Sequence, residues 1–234
     1  MDKQYIYITA FLLLIIFAII GIINSELFEV DKIEIIDNDF LTDEEIITYL
    51  DLEKELNIFN LESQQLADKL IELPQIEGAV VTRSFPRQII IEINERQAVG
   101  IVGDDNSYLV IDKEGWIIDD IYRLSEWKLP LITGSDILIE NDMVKLNQMS
   151  EQAIKYLSFL SKSILQEISE ITITTEDEIK LFLRDGGEVR LGDESNLNYK
   201  AEVLTSIYQD LQDKNLEVDY IDLTYQKNKV VKTK

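Results

Sequence analysis

Residues 5–23 form a run of 19 without one charged side chain. At 1.5 Å of helical rise each, the run reaches about 28 Å, close to the thickness of a bilayer's hydrocarbon core. No later run approaches its length, so the pattern predicts one membrane-spanning helix carrying a large watery region on its far end. The competing interpretation is a cleaved secretory signal, whose apolar stretch is shorter and ends at a small-x-small site. This run instead exits through Asn24, Ser25, Glu26 and Leu27, which contain no such site. Lys3 before the run and Lys32 after it bear on orientation. Lys3 and the α-amino group favour a cytoplasmic N-terminus, with residues 1–4 as a stub inside and the bulk of the chain outside.

A net charge of -23 and a pI near 4.3 repel phosphate backbones and argue against nucleic acid as a partner. The acid is spread along the chain, as on a solvated surface. With no Cys there are no disulfides, thiolate nucleophiles or Cys-based metal sites. With no His, the commonest general base and the usual metal ligand are missing too.

Beyond the membrane, residues 28–36 carry Val30, Ile33, Ile35 and Ile36 and are expected to form a strand. Thr42 and Glu45 are spaced as a capping box, opening a short helix to about Leu50. A second helix is expected after Asn60, with Leu66, Leu70 and Leu73 on one face, stopping at Pro74. Strands at 77–84 and 88–95 follow, the second alternating Ile89, Ile91 and Ile93 with Gln88, Ile90 and Glu92. Phe85, Pro86 and Arg87 make a hairpin-sized link. The order βααββ describes a small α+β unit with helices on one face of a three-stranded sheet.

Further on, strands are expected at 108–112, 116–118, 171–174, 179–183 and 188–191, around Lys113–Glu114–Gly115, Glu176–Asp177 and Asp185–Gly186–Gly187 turns. Helices are expected at 147–165, with Ile154, Leu157, Leu160 and Ile164 spaced by three and four, and at 197–214, with Val203, Ile207 and Leu211. A last strand is expected at 218–225.

An N-terminal anchor followed by this unit, with Leu73–Pro74–Gln75–Ile76, Phe85–Pro86–Arg87 and Glu95–Arg96, resembles the FtsQ/DivIB family of bacterial cell-division proteins. The resemblance continues through residues 109–115 and 129–134, then 185–192 and 220–225. It implies a POTRA domain at 26–98, fused to a mixed β-sheet domain with packed helices at 99–226, before a basic tail at 227–234. Gln97 and Ala98 depart from the family's usual proline and aliphatic pair, and Thr224 stands where an arginine often follows Asp-Leu.

Catalytic chemistry has little to stand on. Asp104–Asp105 and Asp119–Asp120 are adjacent carboxylates without the separated environments that push two pKa values apart. Asp37–Asn38–Asp39 begins like a calcium loop but lacks the remaining ligand positions, so a turn is expected. Gly186, Gly187 and Gly192 have no Lys-Ser pair or helix start behind them to cradle phosphate. Trp116, Trp127 and the ten tyrosines are expected in core and rim. No enzyme, cofactor or metal is expected.

The last strand is expected at a sheet edge, where unpaired backbone groups invite a partner strand. Beyond Asp222 the chain has no acidic residue, while Lys227, Lys229, Lys232 and Lys234 make a basic segment. They read either as gatekeepers against aggregation or as charges that steer an acidic partner. The resemblance implies that this strand receives an FtsB/DivIC-type coiled-coil protein together with FtsL, touched by Tyr220, Leu223 and Tyr225; Thr224, Lys227 and Lys229 beside them complete the expected partner-binding residues. It also implies a single-pass, non-enzymatic scaffold at the division septum that helps control septal cell-wall synthesis, with other divisome contacts possible through the POTRA domain. A POTRA-bearing chaperone or transport component is the alternative, and a membrane-anchored cell-wall hydrolase is a third.

Overall fold

The computed structural model describes residues 3–52, 56–103, 107–134, 137–176, 178–225 and 229–234. The apolar run is one helix, α1 (Lys3–Ile23), long and apolar enough to cross a membrane. A helix end leaves carbonyls short of intrahelical partners, and here side chains add donors to the last turn. Asn24 Nδ2 donates to Ile20 O (2.8 Å), Ser25 Oγ to Ile22 O (2.6 Å) and Asn57 Nδ2 to Ile23 O (2.8 Å). The chain divides into two compact units, Met1–Arg96 and Gln97–Lys234.

In the first unit a 3-10 turn (Glu26–Phe28) follows α1, and β1 (Lys32–Ile36) starts four residues later than the expected strand. The intervening residues bond elsewhere: Val30 N donates to Leu56 O (2.9 Å) and Ile58 N to Phe28 O (2.8 Å). Both arms of the Thr42/Glu45 capping box form at the start of α2 (Asp43–Leu50). Next come α3 (Ser63–Ile71), β2 (Ile76–Ser84) and β3 (Gln88–Glu95). β3 is central in the order β1-β3-β2, parallel to β1 and antiparallel to β2. Its Ile89, Ile91 and Ile93 are buried together with Ile46, Leu50, Ala67 and Leu70, while Ile90 and Glu92 lie on the other face. At the far end of β3, the Glu95 carboxylate accepts the Phe40 and Leu41 amides (2.8 and 2.9 Å) and closes the turn before α2.

The second unit is built on a nine-stranded sheet ordered β14-β13-β12-β11-β10-β7-β4-β5-β6. One group comprises β4 (Ala98–Gly103), β5 (Tyr108–Asp112) and β6 (Ile117–Ile121). Buried Asp112 shapes the β5–β6 hairpin by accepting the Glu114 and Trp116 amides (2.8 and 2.9 Å). The short β7 (Leu131–Thr133) pairs in parallel with β4 through Ile101↔Leu131 alone, and with β10 (Ile168–Ile173) over three residue pairs. β8 (Leu138–Glu140) and β9 (Met143–Lys145) form a separate hairpin through Asn141 and Asp142, both left-handed, as a two-residue I′ turn requires.

The helix expected at 147–165 is two helices, α4 (Gln148–Ser158) and α5 (Lys162–Leu165), with Ser161 in extended geometry between them. β11 (Ile179–Leu183), β12 (Glu188–Gly192), α6 (Leu197–Asp213), β13 (Val218–Asp222) and β14 (Val230–Thr233) complete the unit. α4, α5 and α6 share one core with the sheet, including Leu157, Ile164, Leu204, Ile171, Leu181 and Ile221. Lys200 of α6 is buried, and its Nζ donates to Asp193 O (2.9 Å), tying the β12–α6 connection to the helix.

Leu70 is fully buried, so Leu70→Ala is expected to lose about 2–5 kcal/mol of stability in denaturant unfolding. The Tyr156 hydroxyl is fully buried with no hydrogen-bond partner among the described residues, and burial pushes its pKa far up. An unsatisfied buried donor costs about 1–3 kcal/mol. Tyr156→Phe is therefore expected to hold or raise Tm; a marked fall measured by calorimetry would mean the hydroxyl is satisfied.

Candidate functional site at the C-terminal sheet edge

The C-terminal edge of the large sheet is made by three strands. β13 runs parallel to β12, with Glu188↔Tyr220, Val189↔Ile221 and Arg190↔Asp222 as partners. The α6 crossover allows this, because parallel neighbours need a long connection. β14 then turns back antiparallel on β13, with Tyr220↔Lys232, Ile221↔Val231 and Asp222↔Val230 as partners. The segment expected as a tail is thus partly a strand, and β13, expected at the edge, has a neighbour on each side. The edge belongs to β14, whose Val230 and Val231 are 46% and 40% exposed.

Side chains on β13 divide between two faces. Val218, Ile221 and Leu223 are buried in the core shared with α4 and α6. A register shift between Val218 and Tyr220 lets both Val218 and Ile221 point inward although three positions separate them. Leu223, expected to touch a partner, is 3% exposed and is a core residue. Its amide also donates to Arg190 O (2.8 Å), extending the β12–β13 pairing. Thr224 is half-buried, its amide donating to Asp222 Oδ1 (2.9 Å). Its methyl sits against Gly192, where a Cβ would approach Thr224 Cγ2 to 2.9 Å. Tyr225 is 68% exposed.

The face opposite the core carries a charged lattice around Tyr220. The Arg190 guanidinium lies 5.2 Å and Lys232 Nζ 5.9 Å from the Tyr220 ring centroid, within cation–π range. Arg190 Nε also donates to Glu188 Oε1 (2.8 Å), a bond that raises the Arg190 pKa. Lys232 Nζ pairs with Asp219 Oδ2 (2.5 Å), and that hydrogen bond raises the lysine's pKa.

The basic segment is engaged with its own fold. Lys229 Nζ donates to Tyr199 Oη on α6 (2.6 Å) and lies 4.6 Å from that ring's centroid. Lys234 Nζ donates to Asp185 O (2.5 Å) and stands 3.5 Å from Glu217. These lysines tie the two ends of β14 to α6 and to the β11–β12 turn, a role that spacing alone did not reveal. Lys227 lies outside the described residues, as do Asp104, Asp105 and Asp177.

Other positions singled out in the sequence have local structural partners. Asp119 Oδ2 accepts Trp127 Nε1 (3.2 Å), and its Oδ1 accepts the Asp120 amide (3.0 Å). In the turn at 37–39, Asn38 Nδ2 donates to Leu41 O (2.9 Å) and Asp43 Oδ1 (2.8 Å). Gly186 takes a left-handed conformation (φ 88°) in the β11–β12 turn, which suits glycine. Among the described residues, no group of three Asp or Glu is arranged to hold a metal ion.

Comparison with known proteins places both units. Residues 100–224 match the model of the C-terminal region of cell division protein FtsQ/DivIB, and residues 28–96 match the FtsQ-type POTRA domain. The cell division protein FtsQ of Syntrophotalea carbinolica is 28% identical over 214 residues, covering 89% of this chain and 75% of that protein. The cell division protein DivIB of Brevibacillus brevis is 29% identical over 215 residues, covering 85% and 73%. Among solved structures, the major extracytoplasmic domain of the trans isomer of DivIB from Geobacillus stearothermophilus aligns with a TM-score of 0.37 and 18% identity, over 53% of this chain and 99% of that one. The matched family spans end at Thr224, before β14.

The Lys232–Asp219 pair has a defined pH window. Pairing raises the lysine's folded pKa, so its contribution is fully present below the ordinary lysine pKa and is lost as pH rises through the raised one. With no histidine in the chain, Tm is expected to stay flat from about pH 6 to 9. An NMR titration of the Lys232 side chain is expected to place its midpoint above that of an exposed lysine.

Proposed function

Since the chain belongs to the FtsQ/DivIB family of bacterial cell-division proteins, we propose that it is a single-pass scaffold of the divisome. It holds FtsB/DivIC- and FtsL-type coiled-coil partners on its extracytoplasmic side and so helps control septal cell-wall synthesis. Lys3, ahead of the uncharged run of α1, supports an N-terminus in the cytoplasm. The two units then lie on the cell-wall side of the membrane at the septum.

The observation that carries the partner proposal is the free edge of β14. A strand at a sheet's end presents a row of N–H and C=O groups to an incoming strand, and β14 adds exposed Val230 and Val231 beside them. Tyr220, held between Arg190 and Lys232, and exposed Tyr225 flank this edge as aromatic anchors. Thr224 acts through its packing on Gly192 and Leu223 through the core, so both position the edge from beneath. Lys229 gives this edge a basic rim that acts on encounter more than on the docked state, and the charge of Lys227 is assigned the same steering role. Scaffolding needs no acid, base or metal, and binding is the activity proposed for this site.

Backbone pairing alternates along an edge strand, so single prolines at Val230 and Val231 separate folding from binding. Proline removes one amide. Where that amide faces outward, affinity for a purified FtsB/DivIC-type partner is expected to fall about tenfold or more with Tm unchanged, the loss of about 1.4 kcal/mol or more. Where it faces β13, Tm falls as well. The full-length chain in nanodiscs is the binding species. Affinity equal to that of the unsubstituted chain in both variants would remove β14 from the interface.

A further inference from the structure

Three segments of the first unit meet where α1 ends, and each brings a phenylalanine. Phe28 lies in the 3-10 turn that begins three residues after Ile23. Phe59 lies two residues from Asn57, whose side chain bonds the last carbonyl of α1. Phe85 lies in the β2–β3 hairpin. The Phe28 and Phe59 rings are edge-to-face with centroids 4.9 Å apart, and Phe59 and Phe85 are 5.3 Å apart. Arg87 holds the hairpin to the segment after α1, its Nε donating to Glu29 O (2.9 Å) and pairing with Asp31 (3.2 Å), while its carbonyl accepts the Asp31 amide (3.0 Å). The cluster is left partly open: Phe59 is 38% exposed, Phe85 56%, and Leu27 in the same 3-10 turn 64%.

We propose that Leu27, Phe28, Phe59 and Phe85 form an aromatic foot that docks the first unit onto the lipid interface of the membrane spanned by α1. The patch is continuous with the membrane-spanning helix through the Asn57–Ile23 bond, which brings it to the depth where amphipathic and aromatic groups anchor proteins at the headgroup boundary. Lipid is the occupant favoured by that position. The foot works by apolar burial, because the acidic chain gains nothing from anionic lipid. It also sets an orientation. Lys32 and Gln88 are register partners at the foot's end of the sheet, and Glu95, holding Phe40, is at the other. Eight residues of β3 separate the ends by about 23 Å, so the strands stand with the hairpin toward lipid and Phe40 in water.

The chain has no cysteine, so single-cysteine spin labels can test this in the full-length protein in phosphatidylcholine vesicles, with and without phosphatidylglycerol. The inference rests on α1 being inserted, which a label at Ile15→Cys reports separately. With that label deep in the bilayer, Phe59→Cys and Phe85→Cys labels are expected to show a several-fold higher ratio of oxygen to water-soluble nickel collisions than a Phe40→Cys label. The ratio should be the same in both lipid mixtures. Phe85→Asp, at an exposed position, is expected to return the label at 59 to water. Labels at 59 and 85 as water-exposed as the one at 40 would overturn the proposal and leave the patch to a protein partner. A label at 59 that stays in lipid despite Phe85→Asp would overturn the role of the aromatic cluster.

Discussion

Ile89, Ile91 and Ile93 hold the first unit together, because β3 has a neighbour on both edges and these side chains reach the helices. β1 and β2 each pair with β3, and Ile46 of α2 and Leu70 of α3 pack on the same isoleucines. A slip of one residue in β3 would bring Ile90 and Glu92 to the core and turn the isoleucines to water. Burying Glu92 among apolar side chains would be costly, so the register is well specified. The same strand ends at the Glu95 carboxylate, which orders the turn before α2. The fold of the unit and the placing of its two ends thus share one cause.

In the second unit the constraint moves to the end of the chain. β14 is short, and two of its four residues are exposed valines. Lys232 and Lys234 are fastened to Asp219 and to Asp185 and Glu217, while Lys229 lies on Tyr199. Each exposed ion pair is individually weak, but together they fix β14 along β13. A basic strand clamped by acidic neighbours keeps its outer edge available while its charge is largely answered locally.

Much of this was legible from residue patterns. The Thr42/Glu45 capping box, the alternation in β3 and the Lys113–Glu114–Gly115 turn are local signals that tertiary contacts did not override. Short strands were less visible: β7 has three residues, and its identity as a strand comes from β4 and β10, distant in sequence. The division between α4 and α5 had no proline or glycine to announce it; Ser161 simply leaves helical geometry. At the candidate site, residues 227–234 read as a basic tail because lysines interrupt the valines, and the residues that answer Lys229 and Lys234 lie far away in sequence. Leu223 was grouped with Tyr220 and Tyr225 although an odd number of positions separates it from Tyr220, which puts the two on opposite faces of an extended chain.

The narrow pairing of β7 gives the large sheet a mechanical seam. A pull applied at β14 and resisted by the membrane anchor crosses the strands in order, through β13, β12, β11, β10 and β7, before leaving through β4 into the preceding chain. Every step but one is spread over three or more residue pairs; from β7 to β4 it is carried by Ile101↔Leu131. The Ile101 amide bonds Pro130 O (2.9 Å), and Gly100 lets Ile132 approach so closely that a Cβ there would stand 2.8 Å from its Cδ1. Resistance to rupture depends on the barrier to opening more than on equilibrium stability. Under tension, that tight contact, together with α4 packed across β4 and β10, would govern how long the sheet stays whole.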